Sequence, residues 1–165
     1  MTTPDLHRAL ASLFSELVEG APTGGFAFIL NSGDAGLLRS LDALSADDAS
    51  HSVDGGATIA AHATHVTYGL SLMNLWVSEG GNPFANAKWD EAWKVASVSD
   101  VEWASIREAL RGEARQWHAA LAEPREMRRT ELQGLISSIA HFAYHLGAMR
   151  QIARKARGPR EGTFT

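Results

Sequence analysis

Cysteine is absent from this 165-residue chain, which removes disulfides, thiolate zinc sites and cysteine nucleophiles at one stroke. Any bound metal must therefore be held by nitrogen and oxygen donors. Long apolar runs are missing too. No window approaches the roughly 18 consecutive apolar residues of a membrane span, so no membrane partner is expected. Basic residues are outnumbered, 15 Lys and Arg against 19 Asp and Glu for a net charge of -4, and a nucleic-acid partner is not expected, because neutralising phosphates takes a basic face. The opening MTTPDLHRAL lacks a basic start followed by an apolar stretch, so no secretory signal is read and the cytoplasm is the expected location. Gly24, Gly25, Gly55 and Gly56 lack the strand and the lysine of a phosphate-binding loop.

What is present is ordinary globular composition, 45% hydrophobic and 21% charged, at the length of one domain spanning residues 1–165. Thr3, Pro4 and Asp5 have the pattern of an N-cap and an acidic first turn, and Leu6, Leu10, Leu13, Phe14 and Leu17 recur at helical spacing up to Gly20. The Gly-rich stretch 21–31 reads as a loop whose FAFIL segment is apolar enough to pack. A short helix is expected over Asp34 to Leu44, then a polar loop, SADDASHSVDGG. A second long helix runs from Thr58 to about Glu79, stopped by Gly80-Gly81-Asn82-Pro83. Residues 84–98 form an ordered connection carrying Trp89 and Trp93. Ser99 and Glu102 have capping-box spacing, opening a third helix whose stripe of Trp103, Ile106, Leu110, Ala114, Trp117 and Leu121 ends before Pro124. A second box, Thr130 to Gln133, opens a fourth helix to about Arg157, closed by Gly158-Pro159. Four long helices without strand alternation predict an all-α four-helix bundle.

The fourth helix carries SSIAHFAYHLGAMRQIARKAR, in which His141 and His145 stand one turn apart and share a face. That spacing suits two ligands of one cation and suits two packed core histidines equally. The surroundings favour a hollow: Gly134, Ser137, Ser138 and Ala148 on the same face are small, while Ile139, Phe142, Leu146 and Met149 form the adjoining apolar stripe. His62 and His65 on the second helix are three apart. If one of them faces the pair, three imidazoles converge, and three protein nitrogens with further positions open is the arrangement of a catalytic site. Imidazole donors favour zinc, nickel, copper or iron over magnesium or calcium.

These two strings, SSIAHFAYHLGAMRQIARKAR and GGATIAAHATHVTYGL, resemble the DinB-like family of metalloenzymes (DinB and YfiT-like proteins, unrelated to the translesion polymerase), and the resemblance covers nearly the whole chain. It implies a four-helix bundle that binds a divalent transition metal, Zn, Ni or Fe, through three histidines, commonly as a homodimer. Carried over, the family's H-x-x-x-H falls on His141 and His145. The helix-two histidine follows a Ser/Thr-hydrophobic start by about seven positions, which selects His65, after Thr58, over His62. His62 is then a supporting partner or a cavity wall. The resemblance further implies a small-molecule substrate and either hydrolase or thiol-dependent transferase chemistry, the latter with a low-molecular-weight thiol. The alternative is a non-enzymatic, stress-associated metal-binding bundle.

Other residues take plainer readings. His7, His51 and His118 are expected to be solvated. Tyr68 and Tyr144 are read as interface packing with one satisfied hydroxyl ahead of any role beside a metal, and Trp76 or Trp89 as bordering the cavity mouth. Arg150 is expected to pair with a carboxylate of another helix or subunit. The basic cluster of Arg150, Arg154, Lys155, Arg157 and Arg160 is read as complementing the dipole of a helix C-terminus. No carboxylate on either histidine helix is placed to join the ligands, Glu131 being more than two turns before His141, so no general base is named.

Overall fold

A computed structural model of the chain describes residues 2–159, so Arg160 of the basic cluster lies outside the described residues. Among these residues there is no strand. Seven helices follow one another: α1 (Thr3–Glu19), α2 (Gly36–Asp42), α3 (Ala46–Ser50), α4 (Ile59–Glu79), α5 (Trp89–Ala92), α6 (Asp100–Ala122) and α7 (Arg129–Ile152), with short 3₁₀ turns at Pro83–Asn86 and Arg154–Ala156. The four long ones pack in the ring order α1, α6, α4, α7. The polypeptide is thus an all-helical bundle, as the apolar periodicities predict.

The core follows from those stripes. Phe14, Leu17, Leu110, Trp117, Leu121, Leu135 and Phe142 are fully buried, each worth about 1.5–3 kcal/mol of transfer free energy. Phe14 of α1 meets Phe142 of α7 edge to face with ring centroids 5.0 Å apart, a preferred aromatic geometry. Buried polar tips are satisfied: Trp117 Nε1 donates to Ser138 Oγ at 3.0 Å and Trp103 Nε1 to the Leu44 carbonyl at 2.9 Å. On the α4–α7 seam His62 faces His145, His65 faces His141, and Trp76 lies against Gly134. Ascending numbers on one helix thus meet descending numbers on the other, so the two run antiparallel. At Gly134 a Cβ would collide with the Trp76 ring, which is why that small residue is needed.

Local signals explain most helix boundaries. Ser99 Oγ accepts from Glu102 N–H at 3.3 Å while Glu102 Oε2 accepts from Ser99 N–H at 2.7 Å, the expected capping box of α6. At α1 the cap is Thr2 rather than Thr3, again boxed with Asp5. At α7 the capping residues are Arg128 and Glu131, not Thr130 and Gln133: Glu131 Oε2 accepts from Arg128 N–H at 2.8 Å and Oε1 from its guanidinium at 2.9 Å. The polar stretch after α2 contains a helix the composition concealed, α3, opened by a Ser45–Asp48 box. Finally, α7 stops at Ile152 instead of Arg157. Ala153 turns extended and the following 3₁₀ turn packs Ala156, fully buried, against α2.

The loop between α1 and α2 also departs from expectation. Phe26 and Phe28 are 90% and 78% exposed, so of FAFIL only Leu30 packs against the core and the segment is otherwise attached by its backbone. The buried carboxylate of Glu16 accepts from the amides of Phe28, Ile29 and Leu30, the last two at 2.7 and 2.6 Å. The loop closes where Gly20 and Gly36 touch. Both have positive φ, 104° and 72°, and a Cβ on either would strike the backbone of the opposite segment, so only glycine fits.

Candidate metal centre

The histidines lie on the α4–α7 seam within the first two turns of α4. Thr58 caps α4, its Oγ1 accepting from Ala61 N–H at 3.1 Å, and sets the phase of the turns that follow, so His62 and His65 both point toward α7. On α7, His141 and His145 answer them one turn apart. The Nε2 of His141 lies 2.9 Å from Nε2 of His145 and 3.3 Å from Nε2 of His65. One donor atom from each of these three histidines lies within 4.8 Å of the others. Nitrogens sharing a tetrahedral ion at about 2.0–2.1 Å sit about 3.3–3.4 Å apart, so small side-chain adjustments would seat a cation. Among the described residues this is the one group of three or more His, Asp or Glu gathered closely enough to do so. The three residues singled out in the sequence, His65, His141 and His145, are therefore brought together.

The chemistry of the donor set fits a cation. Burial holds His145 down at about 3 and His65 at about 4, with the neighbouring imidazoles adding repulsion against protonation. Burial also lowers His62 and His141. All four rings are thus uncharged at neutral pH, the state in which imidazole is a ligand. A proton on His141 Nε2 can serve one or two of its neighbours, yet it leaves lone pairs crowded together. A divalent ion satisfies all three at once.

The two α4 histidines have different duties. His62 Nδ1 sits 2.9 Å from His145 Nδ1, on the far side of the His145 ring from the converging nitrogens. With His145 Nε2 turned to a cation, its proton resides on Nδ1 and is donated to His62, the kind of outer hydrogen bond that fixes a ligand's tautomer. With a cation bound, His62 would be a supporting partner, one of the two roles open to it from sequence. His65 is held differently. Its Nδ1 is buried without a partner, and the ring is fixed by stacking on Trp93 at 4.4 Å between centroids and 28° between planes.

Trp93 is the residue that sequence reasoning missed as part of the site. It stacks on His65 and meets His62 edge-on at 5.2 Å, while Trp89 tilts over His65 at 5.5 Å. The connection bearing them is pinned at both ends: Tyr68 Oη accepts from Lys88 N–H at 3.0 Å, and Thr58 Oγ1 donates to the Val95 carbonyl at 2.7 Å. The available signal was two tryptophans four residues apart in a connection between long helices, a pair that needs something to cover. Tyr68 is thereby a tether with a satisfied hydroxyl. Tyr144 is mostly exposed, its ring edge-on to His145 at 5.0 Å.

Among the three converging rings, His145 and His65 are 2% and 7% exposed, whereas His141 faces solvent. Access is therefore from the His141 side. Of the remaining histidines, His51 and His118 are exposed as expected, but His7 is fully buried. Its Nδ1 donates to the Leu121 carbonyl at 2.8 Å and its Nε2 accepts from Arg125 N–H at 3.3 Å, tying the start of α1 to the end of α6. Its apparent first-turn position hid this because the chain beyond α6 folds over it. Arg150 pairs with buried Asp34 at 2.7 Å and Lys155 with Asp48 at 2.9 Å. Two members of the basic cluster are thus engaged in ion pairs, and only Arg150 lies in the last turn of α7.

No family model matches the chain, and no curated protein or solved structure matches it.

Proposed function

We propose that this protein is a metal-dependent enzyme acting on a small molecule, with His65, His141 and His145 holding a divalent transition ion, Zn, Ni or Fe. The observation that carries the reading is the convergence of three Nε2 atoms from two helices at hydrogen-bond separations, with a fourth histidine behind one of them. The same features support the DinB/YfiT-like type of bundle. When bound, such an ion supplies Lewis acidity and lowers the pKa of a coordinated water or thiol toward neutrality. The protein's own contribution is positional. His62 and Trp93 orient two ligands, the apolar seam excludes water from two sides, and solvent-facing His141 leaves the approach for substrate. Hydrolysis and thiol transfer both suit this arrangement, with a low-molecular-weight thiol as the candidate co-substrate in the second case. A homodimer acting in the cytoplasm completes the proposal.

Metal analysis of protein purified without a histidine tag tests it. About one ion per chain is expected, and a substoichiometric content after incubation with Zn, Ni and Fe(II) in turn would sink it. Because the ligands straddle α4 and α7, an ion there would also cross-link the bundle, which favours the non-enzymatic metal-binding protein as the second reading. X-ray absorption separates the two. Three imidazoles plus an exchangeable oxygen support the enzyme, and a closed set of protein donors supports the structural role.

A further inference from the structure

Beneath the exposed edge of His141 the seam between α4 and α7 opens into a cavity of about 190 Å³. Val66, Leu70, Met73, Phe84, Trp89 and Phe142 supply its apolar walls, Gly69 leaves space between them, and no charged side chain lines it. Two serines border it. Ser138 is already engaged, donating to the Leu135 carbonyl at 2.7 Å and accepting from Trp117, so Ser137 and the His141 ring edge furnish the polar atoms at the margin. Apolar space of this size is suited to a ring, since a cavity of about 150 Å³ takes up benzene. A charged group placed there would lose its hydration with no partner in return.

We infer that the substrate carries an uncharged aromatic or compact aliphatic group that seats in this cavity, attached to a polar, metal-binding head that meets the histidine centre over His141. This deepens the functional reading above and rests on it. The head alone gives no size selection, because the approach over His141 is open to solvent. The body is selected by the cavity. Its walls come from both histidine helices and from the strap bearing Trp89, so the residues that hold the metal-side geometry also shape the apolar site. An uncharged ring gains the burial of its surface, and a ring bearing a carboxylate does not.

The test uses the full-length protein loaded with cobalt(II), whose visible spectrum reports both ion and added ligand. Cobalt titration without ligand reads the metal centre by itself. Benzohydroxamate and acetohydroxamate then present the same metal-binding head with and without a ring, and 4-carboxybenzohydroxamate adds the charge. Benzohydroxamate is expected to bind about tenfold to a hundredfold more tightly than acetohydroxamate, the gain from burying one ring, and the carboxylate is expected to erase that gain. Gly69→Leu and Ser137→Leu fill the cavity from opposite walls. Gly69→Leu exchanges a helix-weakening residue for a strong helix former, and a Cβ there meets only Trp89, at 3.8 Å. Both variants should keep stoichiometric cobalt and lose the preference for the ring. Equal binding of the three probes by the cobalt protein, or an undiminished ring preference in both filled variants, overturns the cavity inference while leaving the metal centre standing. Failure to bind cobalt overturns the metal reading and the inference with it.

Discussion

Two groups of polar side chains, all buried but His141, sit in this bundle, and they are satisfied in opposite ways. Glu16, Asp34 and His7 find complementary partners from distant segments: the amides of the 28–30 loop, the Arg150 guanidinium with the Gly36 amide, and a carbonyl and an amide at the end of α6. The four histidines of the α4–α7 seam have chiefly each other. Complementary partners close a hydrogen-bond account and fix a loop or a helix end. Like partners do so only in part, since each neutral imidazole offers one N–H and one lone pair, and His65 Nδ1 stays buried without a partner. The contrast separates polar residues that tie segments of the fold together from those whose grouping could hold a cation.

The largest expected effect breaks the second group alone. His145→Ala, which removes the ring touching both His141 and His62, should abolish stoichiometric metal binding while far-UV circular dichroism keeps its helical signal. Next comes a split within α4. His65→Ala should weaken binding far more than His62→Ala, whose loss is expected at about tenfold to a hundredfold, as for an outer hydrogen-bonding partner. Isothermal titration with zinc reads both, and equal losses would show that the two histidines share one role.

The converse experiment breaks the first group. Glu16→Ala strands three amide donors that a buried carboxylate now satisfies, and denaturant unfolding should show a loss of about 2–4 kcal/mol. Metal affinity should hold, because the loop lies at α1 and α2. A drop in metal affinity of the same order as in His65→Ala would mean that the two groups are coupled. The remaining perturbation is pH. In the unfolded chain these histidines take up protons near pH 6.5, whereas in the folded, metal-free protein His65 and His145 resist protonation down to about 4 and about 3. Between those limits the unfolded state binds more protons, so metal-free stability should fall as pH drops from about 6.5 toward 4. Saturating zinc should widen the difference, since protons then compete with the ion as well. Metal-free stability that stays flat across that range would contradict the lowered values.

Much of this was legible in advance. The stripes of α1, α6 and α7 named their buried residues, the Ser99–Glu102 spacing marked the start of α6, and the one-turn spacing of His141 and His145 put both rings on one face. Those are local facts, set by 3.6 residues per turn. What stayed hidden has a common cause. His7 looks like a surface residue until the chain after α6 folds over it, and Phe26 and Phe28 look like core until Glu16 is seen to hold the loop by the amides of residues 28–30 instead. Trp93 looks like a linker residue until Tyr68 and Thr58 draw the connection back across α4.

The sequence by itself determined that any metal here would be held by nitrogen and oxygen donors, that the chain would be helical, and which pair of histidines would share a helix face. The tertiary structure decided the rest: that His65 joins that pair while His62 stands behind it, that Trp93 presses on the third ligand, and that His141 alone faces solvent. Two helices in antiparallel contact can meet in many registers and rotations, and a residue's own helix specifies neither. The large side chains on the seam do, with the Trp76 ring laid on Gly134 where a Cβ cannot fit. Packing that ring against that glycine helps fix the register in which the histidines of α4 and α7 meet.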